Sequence, residues 1–194
     1  MNSRPTPSPF SPVQIGPLTL KNRFIKAATN EGMSAGGVPS KQLVKLHSAL
    51  VAGGTALTTV AYCAVSDDGR TLPNQLTLSQ SSLPHFRALT EGVPQAGGLV
   101  SAQITHGGCF TFIRERSTKR PLSSSGGFNK IGMMSGMFLK QKMNEADMQQ
   151  VIRDFAQGAR LAREAGFDAV EIHMGHGYLL SQFISPMYNK RRDQ

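Results

Sequence analysis

Residues 165–186 read AGFDAVEIHMGHGYLLSQFISP, and the fold is decided by this stretch. Phe167–Asp168–Ala169–Val170–Glu171–Ile172–His173 is a short, mainly apolar run of strand length. Gly166 precedes it, where a helix ends in a left-handed residue. Upstream, Met148, Val151, Ile152, Phe155, Ala159, Ala162 and Ala165 recur at helical spacing and define one apolar face. Asn144 is a candidate N-cap, and Glu145 and Asp147 suit the positive end of a helix dipole. The unit is therefore a capped helix, a tight turn, a strand, and then the polar turn His173–Met174–Gly175–His176–Gly177–Tyr178.

The same rhythm runs back along the chain. Phe24–Ala28 and Leu57–Val65 read as strands, with a helix between them over Ser40–Ala52. Ser40 is that helix's candidate cap, and Gly53–Gly54 ends it. A second helix over Leu83–Ala96 leads to a third strand, Leu99–Ile104. Residues 13–22 suggest a hairpin around Gly16–Pro17, and the Pro/Ser-rich residues 1–12 a flexible lead-in. Residues 107–143 show no clear period, and a loop of that length usually carries function or acts as a lid.

Strands alternating with helices imply right-handed βαβ units and a parallel sheet. Four such units are visible. A doubly wound sheet and part of a barrel share this pattern. No Gly-rich dinucleotide fingerprint follows the first strand, which disfavours the doubly wound form.

Composition removes several function classes. The 194 residues carry a formal charge of +9 but no Trp and three Tyr. The densest basic groups, Arg114–Arg116–Lys119–Arg120 and Lys190–Arg191–Arg192, have no interleaved aromatic platform. They read as solvated loops rather than a nucleic-acid patch. Cys63 and Cys109 form neither a disulfide framework nor a metal spacing. Neither a signal-peptide core nor a run of about 18 apolar residues is present, so a cytoplasmic protein off the membrane is expected.

Polar residues gather at the C-terminal ends of the strands, where α/β folds bind ligands. They are Ala27–Ala28–Thr29–Asn30, Tyr62–Cys63, Gln103 to His106, and His173 to Tyr178. Two histidines three residues apart can hydrogen-bond one anionic oxygen, and a nearby tyrosine can deliver a proton. Blander readings compete. The histidine pair resembles a zinc half-site, but a third ligand is not obvious nearby. Both histidines fit a structural turn, and Gln103 fits a buried backbone partner equally well. His47 and His85 read as packing or surface residues of helices, and Cys63 as a small buried one.

These stretches closely resemble the Old Yellow Enzyme-like NADH:flavin oxidoreductases. The likeness rests on residues 165–186, on Asn189–Lys190–Arg191–Arg192–Asp193, on Leu20–Lys21–Asn22–Arg23–Phe24, on Val65 to Arg70, and on Gln103–Ile104–Thr105–His106–Gly107–Gly108, in the family's order. The resemblance implies an α/β TIM (β/α)8 barrel that holds FMN and is reduced by NADH or NADPH. Ala27, Ala28, Thr29, Tyr62, Cys63 and Gln103 are then the cofactor-binding positions, and Asn30 faces the reactive side. His173 and His176 bind the substrate carbonyl oxygen and Tyr178 is the proton donor. The implied reaction reduces the C=C bond of an α,β-unsaturated carbonyl compound. Three positions depart from the family: Ala28 where Pro is usual, a bulkier Tyr62, and Cys109 where an Arg often follows.

A complete barrel needs about 250 residues and eight strands. Residues 13–194 therefore read as its N-terminal half, with four βα units and the FMN phosphate site outside them. The expectation is a truncated ene-reductase, inactive alone, with a homo-oligomer as one arrangement. The alternative is a non-catalytic half-barrel acting as a dimerising or regulatory module.

Overall fold

The computed structural model describes residues 7–93 and 97–193. Residues 1–6 of the expected lead-in, residues 94–96 at the end of the second expected helix, and residue 194 lie outside the described residues. A hairpin opens the fold, β1 (Val13–Ile15) pairing antiparallel with β2 (Leu18–Leu20). Residues just before it are tied down: the Arg23 N–H donates to the Pro9 carbonyl at 2.9 Å, and the Phe10 and Phe24 rings lie 5.2 Å apart.

The body alternates strands and helices. In order come β3 (Ile25–Asn30), a small hairpin of β4 (Ser34–Ala35) and β5 (Val38–Pro39), α1 (Lys41–Ala52), β6 (Leu57–Ala64), α2 (Leu83–Gly92) and β7 (Leu99–Thr105). The segment after β7 is not the structureless loop expected from its lack of period. It folds into β8 (Leu122–Ser123), β9 (Gly127–Phe128), a short 3₁₀ turn over Ile131–Ser135 and β10 (Leu139–Lys142), with β10 in the centre of a three-stranded sheet. Two-residue strands carry too few alternations to betray themselves in sequence. Then follow α3 (Glu145–Glu164), β11 (Ala169–Ile172) and α4 (Leu179–Ile184).

The main sheet has the order β11-β7-β6-β3, every pair parallel. Successive strands are neighbours without a reversal of order, unlike a doubly wound sheet. α1 packs on α2, and α2 on α3, so the crossovers share one face of the sheet. Against that face Val60, Cys63, Val100, Ala102 and Ile104 form one core with Leu43, Val51, Phe86, Leu89, Leu161 and Phe167. The opposite face is polar: Thr59 and Ser101 hydroxyls meet at 2.7 Å, and the Gln103 Nε2 donates to Glu171 at 2.5 Å. Parallel strands in sequence order, with helices on one face and polar side chains on the other, fit an arc of a barrel.

Caps explain the element limits. The Ser40 hydroxyl accepts the Leu43 N–H. Asn144 and Asp147 form a reciprocal capping box. Gly166, with φ of 93°, turns the chain from α3 into β11. The expected apolar face of α3 needs one correction, since Ile152 is 59% exposed while Val151, Leu161 and Ala162 are buried. β6 and β7 are buried as expected for central parallel strands, but β3 and β11 are largely exposed because each has one neighbour.

Two core histidines make stability depend on acid. His47 lies on the helix side, 2.6 Å from the Thr58 hydroxyl, and His106 takes the Gly108 N–H at 3.0 Å. Burial, joined at His47 by the nearby Lys26 charge, pulls each down from 6.5 to about 4. Because the unfolded chain takes up these protons first, their stabilising effect is complete above about 6.5 and is lost as pH falls toward 4. Urea midpoints are expected to drop between about pH 7 and pH 4.5, and His47→Gln to flatten that slope. An unchanged slope in the variant would show that His47 protonates freely in the folded state.

Candidate functional site

All four main strands point their C-terminal ends to one rim, as parallel pairing in sequence order demands. The register of the sheet is broken twice, first in mid-strand and then toward this rim. Between the pairs Lys26–Thr58 and Thr29–Val60, residues Ala27 and Ala28 oppose Thr59 alone. Between Val60–Ala102 and Cys63–Ile104, residues Ala61 and Tyr62 oppose Gln103 alone. Such bulges free backbone groups from the ladder and re-aim side chains, commonly at barrel rims and active sites. Ala27, Ala28, Tyr62 and Gln103, four of the positions expected to border a cofactor, lie at these breaks. Thr29 and Asn30 are exposed just beyond, the Asn30 Oδ1 accepting the Gly32 N–H at 3.1 Å.

One expected cofactor position turns elsewhere. Cys63 is fully buried in the helix-side core, and burial pushes its thiol up, so it is a packing residue behind the rim. Alternation along a strand explains this, because Tyr62 and Cys63 face opposite sides. Gln103 is nearly buried, its amide nitrogen engaged by Glu171.

After β11 the chain turns sharply and brings His173, His176 and Tyr178 together. The ring centroids of His173 and Tyr178 lie 4.7 Å apart, and those of His173 and His176 4.9 Å. The Gly175 N–H donates to His173 Nδ1 at 3.1 Å, which leaves the neutral ring's proton on Nε2. That Nε2 lies 3.1 Å from His176 Nδ1 and donates to it, so His176 carries its own proton on Nε2. The two rings are thus chained, and His173 meets an external oxygen only when that contact opens. Burial first, then the adjacent His176, hold His173 below its ordinary value, while Glu171 opposes them. Burial and the hydrogen bond that Tyr178 donates to Tyr62 push the Tyr178 phenol up, so it is a neutral donor. No group of three His, Cys, Asp or Glu side chains among the described residues is placed to hold a metal ion.

Residues that pattern reading passed over complete the site. Gln182 on α4 is fully buried; its Nε2 donates to the Gly107 and Gly177 carbonyls at 3.2 and 2.6 Å, and its Oε1 accepts the Cys109 N–H. It clamps the turn after β7 to the turn after β11. A lone amide in the mainly apolar LLSQFI helix, one turn after Tyr178, was the available signal. Thr71 and Gln75, behind Tyr62, had none. His85 lies exposed on α2, as expected, and His47 packs inside.

Sequence and structure comparisons identify the family. Residues 8–194 match the model of the NADH:flavin oxidoreductase / NADH oxidase family. The chain belongs to that family. Family relatives include the 4,4'-dithiodibutanoate disulfide reductase of Rhodococcus erythropolis, 44% identical over all of this chain and 47% of the relative. The NADPH dehydrogenase of Bacillus subtilis is 29% identical over 95% of this chain and 53% of its own length. Among solved structures, the old yellow enzyme homologue from Zymomonas mobilis aligns with a TM-score of 0.82 and 26% identity, over 96% of this chain and 54% of that one. Morphinone reductase in complex with tetrahydroNAD aligns at 0.86 with 22% identity, over 97% and 55%. The chain spans about half the length of the curated relatives it matches. Family membership makes it an Old Yellow Enzyme-like flavin oxidoreductase sequence, and among the described residues no helix is long and apolar enough to cross a membrane.

The turn holds one strained residue. His176 has φ of 58°, a left-handed conformation that a β-carbon disfavours. His176→Gly is therefore expected to be more stable than His176→Ala by about 1 kcal/mol in urea unfolding, since both lose the imidazole and only one keeps the β-carbon. Equal stabilities would show that the turn relaxes.

Proposed function

We propose that these residues form the substrate-facing part of an FMN-dependent reductase, driven by NADH or NADPH, that saturates the C=C bond of α,β-unsaturated carbonyl compounds. The carrying observation is the convergence of His173, His176 and Tyr178 beside Tyr62, at the bulged C-terminal part of β6. The chain fits as the first four βα units of a (β/α)8 barrel.

The rim suits a planar flavin ring. Small side chains at Ala27, Ala28 and Thr29 leave room for its face, and the bulged backbone and the Gln103 amide supply hydrogen-bonding groups for its edge. When bound, FMN supplies hydride to the β-carbon of the acceptor. The chain's own residues do the rest. The His176 Nε2–H, and the His173 Nε2–H once its contact with His176 opens, donate to the carbonyl oxygen and stabilise the negative charge that develops there. Tyr178 gives its hydroxyl proton to the α-carbon. Phe110 packs against the Tyr178 ring, centroids 5.3 Å apart, and shields it from water.

The 44% identity to a disulfide reductase favours a second acceptor for the same site, a small organic disulfide. There Tyr178 would protonate the departing thiolate. The non-catalytic half-barrel is the competing class, and exposed Val170 and Ile172 on the edge strand are the observation behind it.

Protein with bound FMN should oxidise NADPH with cyclohexenone and with 4,4'-dithiodibutanoate assayed side by side. Tyr178→Phe is expected to slow cyclohexenone reduction by about 100-fold or more while flavin reduction by NADPH stays unchanged. Turnover of the disulfide alone would select the second acceptor. Failure to retain FMN, with a dimer mass in size-exclusion chromatography, would favour the binding module.

A further inference from the structure

Behind Tyr178 lies a chain of hydrogen bonds that neither the proton donor nor the cofactor rim requires. Tyr178 Oη donates to Tyr62 Oη at 2.9 Å, Tyr62 Oη lies 2.9 Å from Thr71 Oγ1, and Thr71 Oγ1 donates to Gln75 Oε1 at 3.0 Å. The polarity follows from one fixed donor. The Thr71 backbone N–H, which can only donate, points at the same Gln75 atom at 2.6 Å, so that atom is the amide oxygen. Gln75 Oε1 therefore takes the Thr71 hydroxyl proton as well. The Thr71 oxygen is left to accept from Tyr62, and the Tyr62 oxygen to accept from Tyr178.

The chain is enclosed and held from both sides. Thr71, Gln75 and Tyr178 are 1%, 7% and 6% exposed. The Phe112 N–H donates to the Thr71 carbonyl at 2.7 Å, and the Gln75 Nε2 reaches the Tyr62 carbonyl at 3.4 Å. Gly107 fits only without a side chain, because a β-carbon there would stand 2.7 Å from Thr71 Cγ2 and from the Phe110 carbonyl. The Tyr62 ring meets Tyr178 at 5.5 Å and the edge of His173 at 6.0 Å.

The geometry points to Tyr62, held by Thr71 and Gln75, as a positioning residue for Tyr178: its hydroxyl orients the Tyr178 hydroxyl and donates to that oxygen as the proton leaves. This rests on the reading of Tyr178 as the proton donor. In the step, the Tyr178 O–H bond breaks and a C–H bond forms at the α-carbon. The electron pair stays on the Tyr178 oxygen until water returns a proton. A phenolate in so buried a place is costly without a donor. As the Tyr178 proton turns to the substrate, the Tyr62 hydroxyl turns to Tyr178 and the Thr71 hydroxyl to Tyr62. Gln75 Oε1 keeps the Thr71 N–H throughout, so no buried group loses every partner.

The test uses Tyr62→Phe and Thr71→Val, which remove only hydroxyls from the chain, and Thr71→Ser, which restores one. The first readout needs no cofactor. The chain has three tyrosines, Tyr62, Tyr178 and Tyr188, so isotope-labelled tyrosine NMR can follow the Tyr178 hydroxyl proton with Tyr188 as the control. A slowly exchanging Tyr178 hydroxyl is expected in the parent and in Thr71→Ser, and rapid exchange in Tyr62→Phe and Thr71→Val. Thr71→Val is the stringent case, because its effect must pass through Tyr62. The second readout uses FMN-loaded protein. Tyr62→Phe and Thr71→Val should lower the rate of enone reduction by about tenfold and Thr71→Ser by less than about twofold, while flavin reduction by NADPH should not change in the two Thr71 variants. Unchanged hydroxyl exchange, or unchanged enone reduction by an active Tyr62→Phe enzyme, overturns the positioning role alone. A loaded parent enzyme that reduces no enone overturns the functional reading and this role with it.

Discussion

Parallel hydrogen bonding in sequence order, β3 to β6 to β7 to β11, is the constraint on which the rest of the molecule depends. Each strand must leave the sheet at the same edge, cross over through a helix, and return. The helices are thereby kept to one face, and all four strand ends are gathered at one rim. Residues as distant as Tyr62 and Tyr178 meet at that rim because of this geometry. The buried core of β6, β7 and three helices holds the arc rigid, and the rim borrows that rigidity.

The ladder of the main sheet is broken twice, in mid-strand at Ala27–Ala28 and toward the C-terminal end at Ala61–Tyr62, and each shift presents two residues of one strand against one of the next. At the first, two alanines leave open space; at the second, Tyr62 is turned along the rim toward Tyr178. Backbone strain lies in the turn after β11, where His176 is the non-glycine residue of positive φ among those described. Well-satisfied neighbours compensate: Gln182 ties the β7 and β11 turns, and Gln75 closes the chain of hydroxyls behind Tyr62.

Burial sets the electrostatics of His173 and Tyr178. His173 is held neutral by burial and by His176, and Tyr178 is held protonated by burial and by the acceptor it has found in Tyr62. A neutral N–H donor and a neutral O–H are what the proposed proton transfer requires, since an ionised Tyr178 would have no proton to give.

The helices α1 and α3, their caps at Ser40 and Asn144, and the four strands were legible in the sequence, because apolar spacing and cap chemistry are local. The cluster of His173, His176 and Tyr178 was legible too, since its members share one turn. Tertiary structure alone decided the remainder. The burial of Cys63 in the helix-side core and the exposure of Ile152 depend on which neighbour each face meets. The three-stranded sheet after β7 is built from pieces too short to carry a period. The link from Tyr178 to Tyr62, 116 residues apart in the chain, has no trace in spacing. Local pattern records what a residue does to its own backbone; which side chain it meets across the rim is set only when the parallel strands bring their ends together.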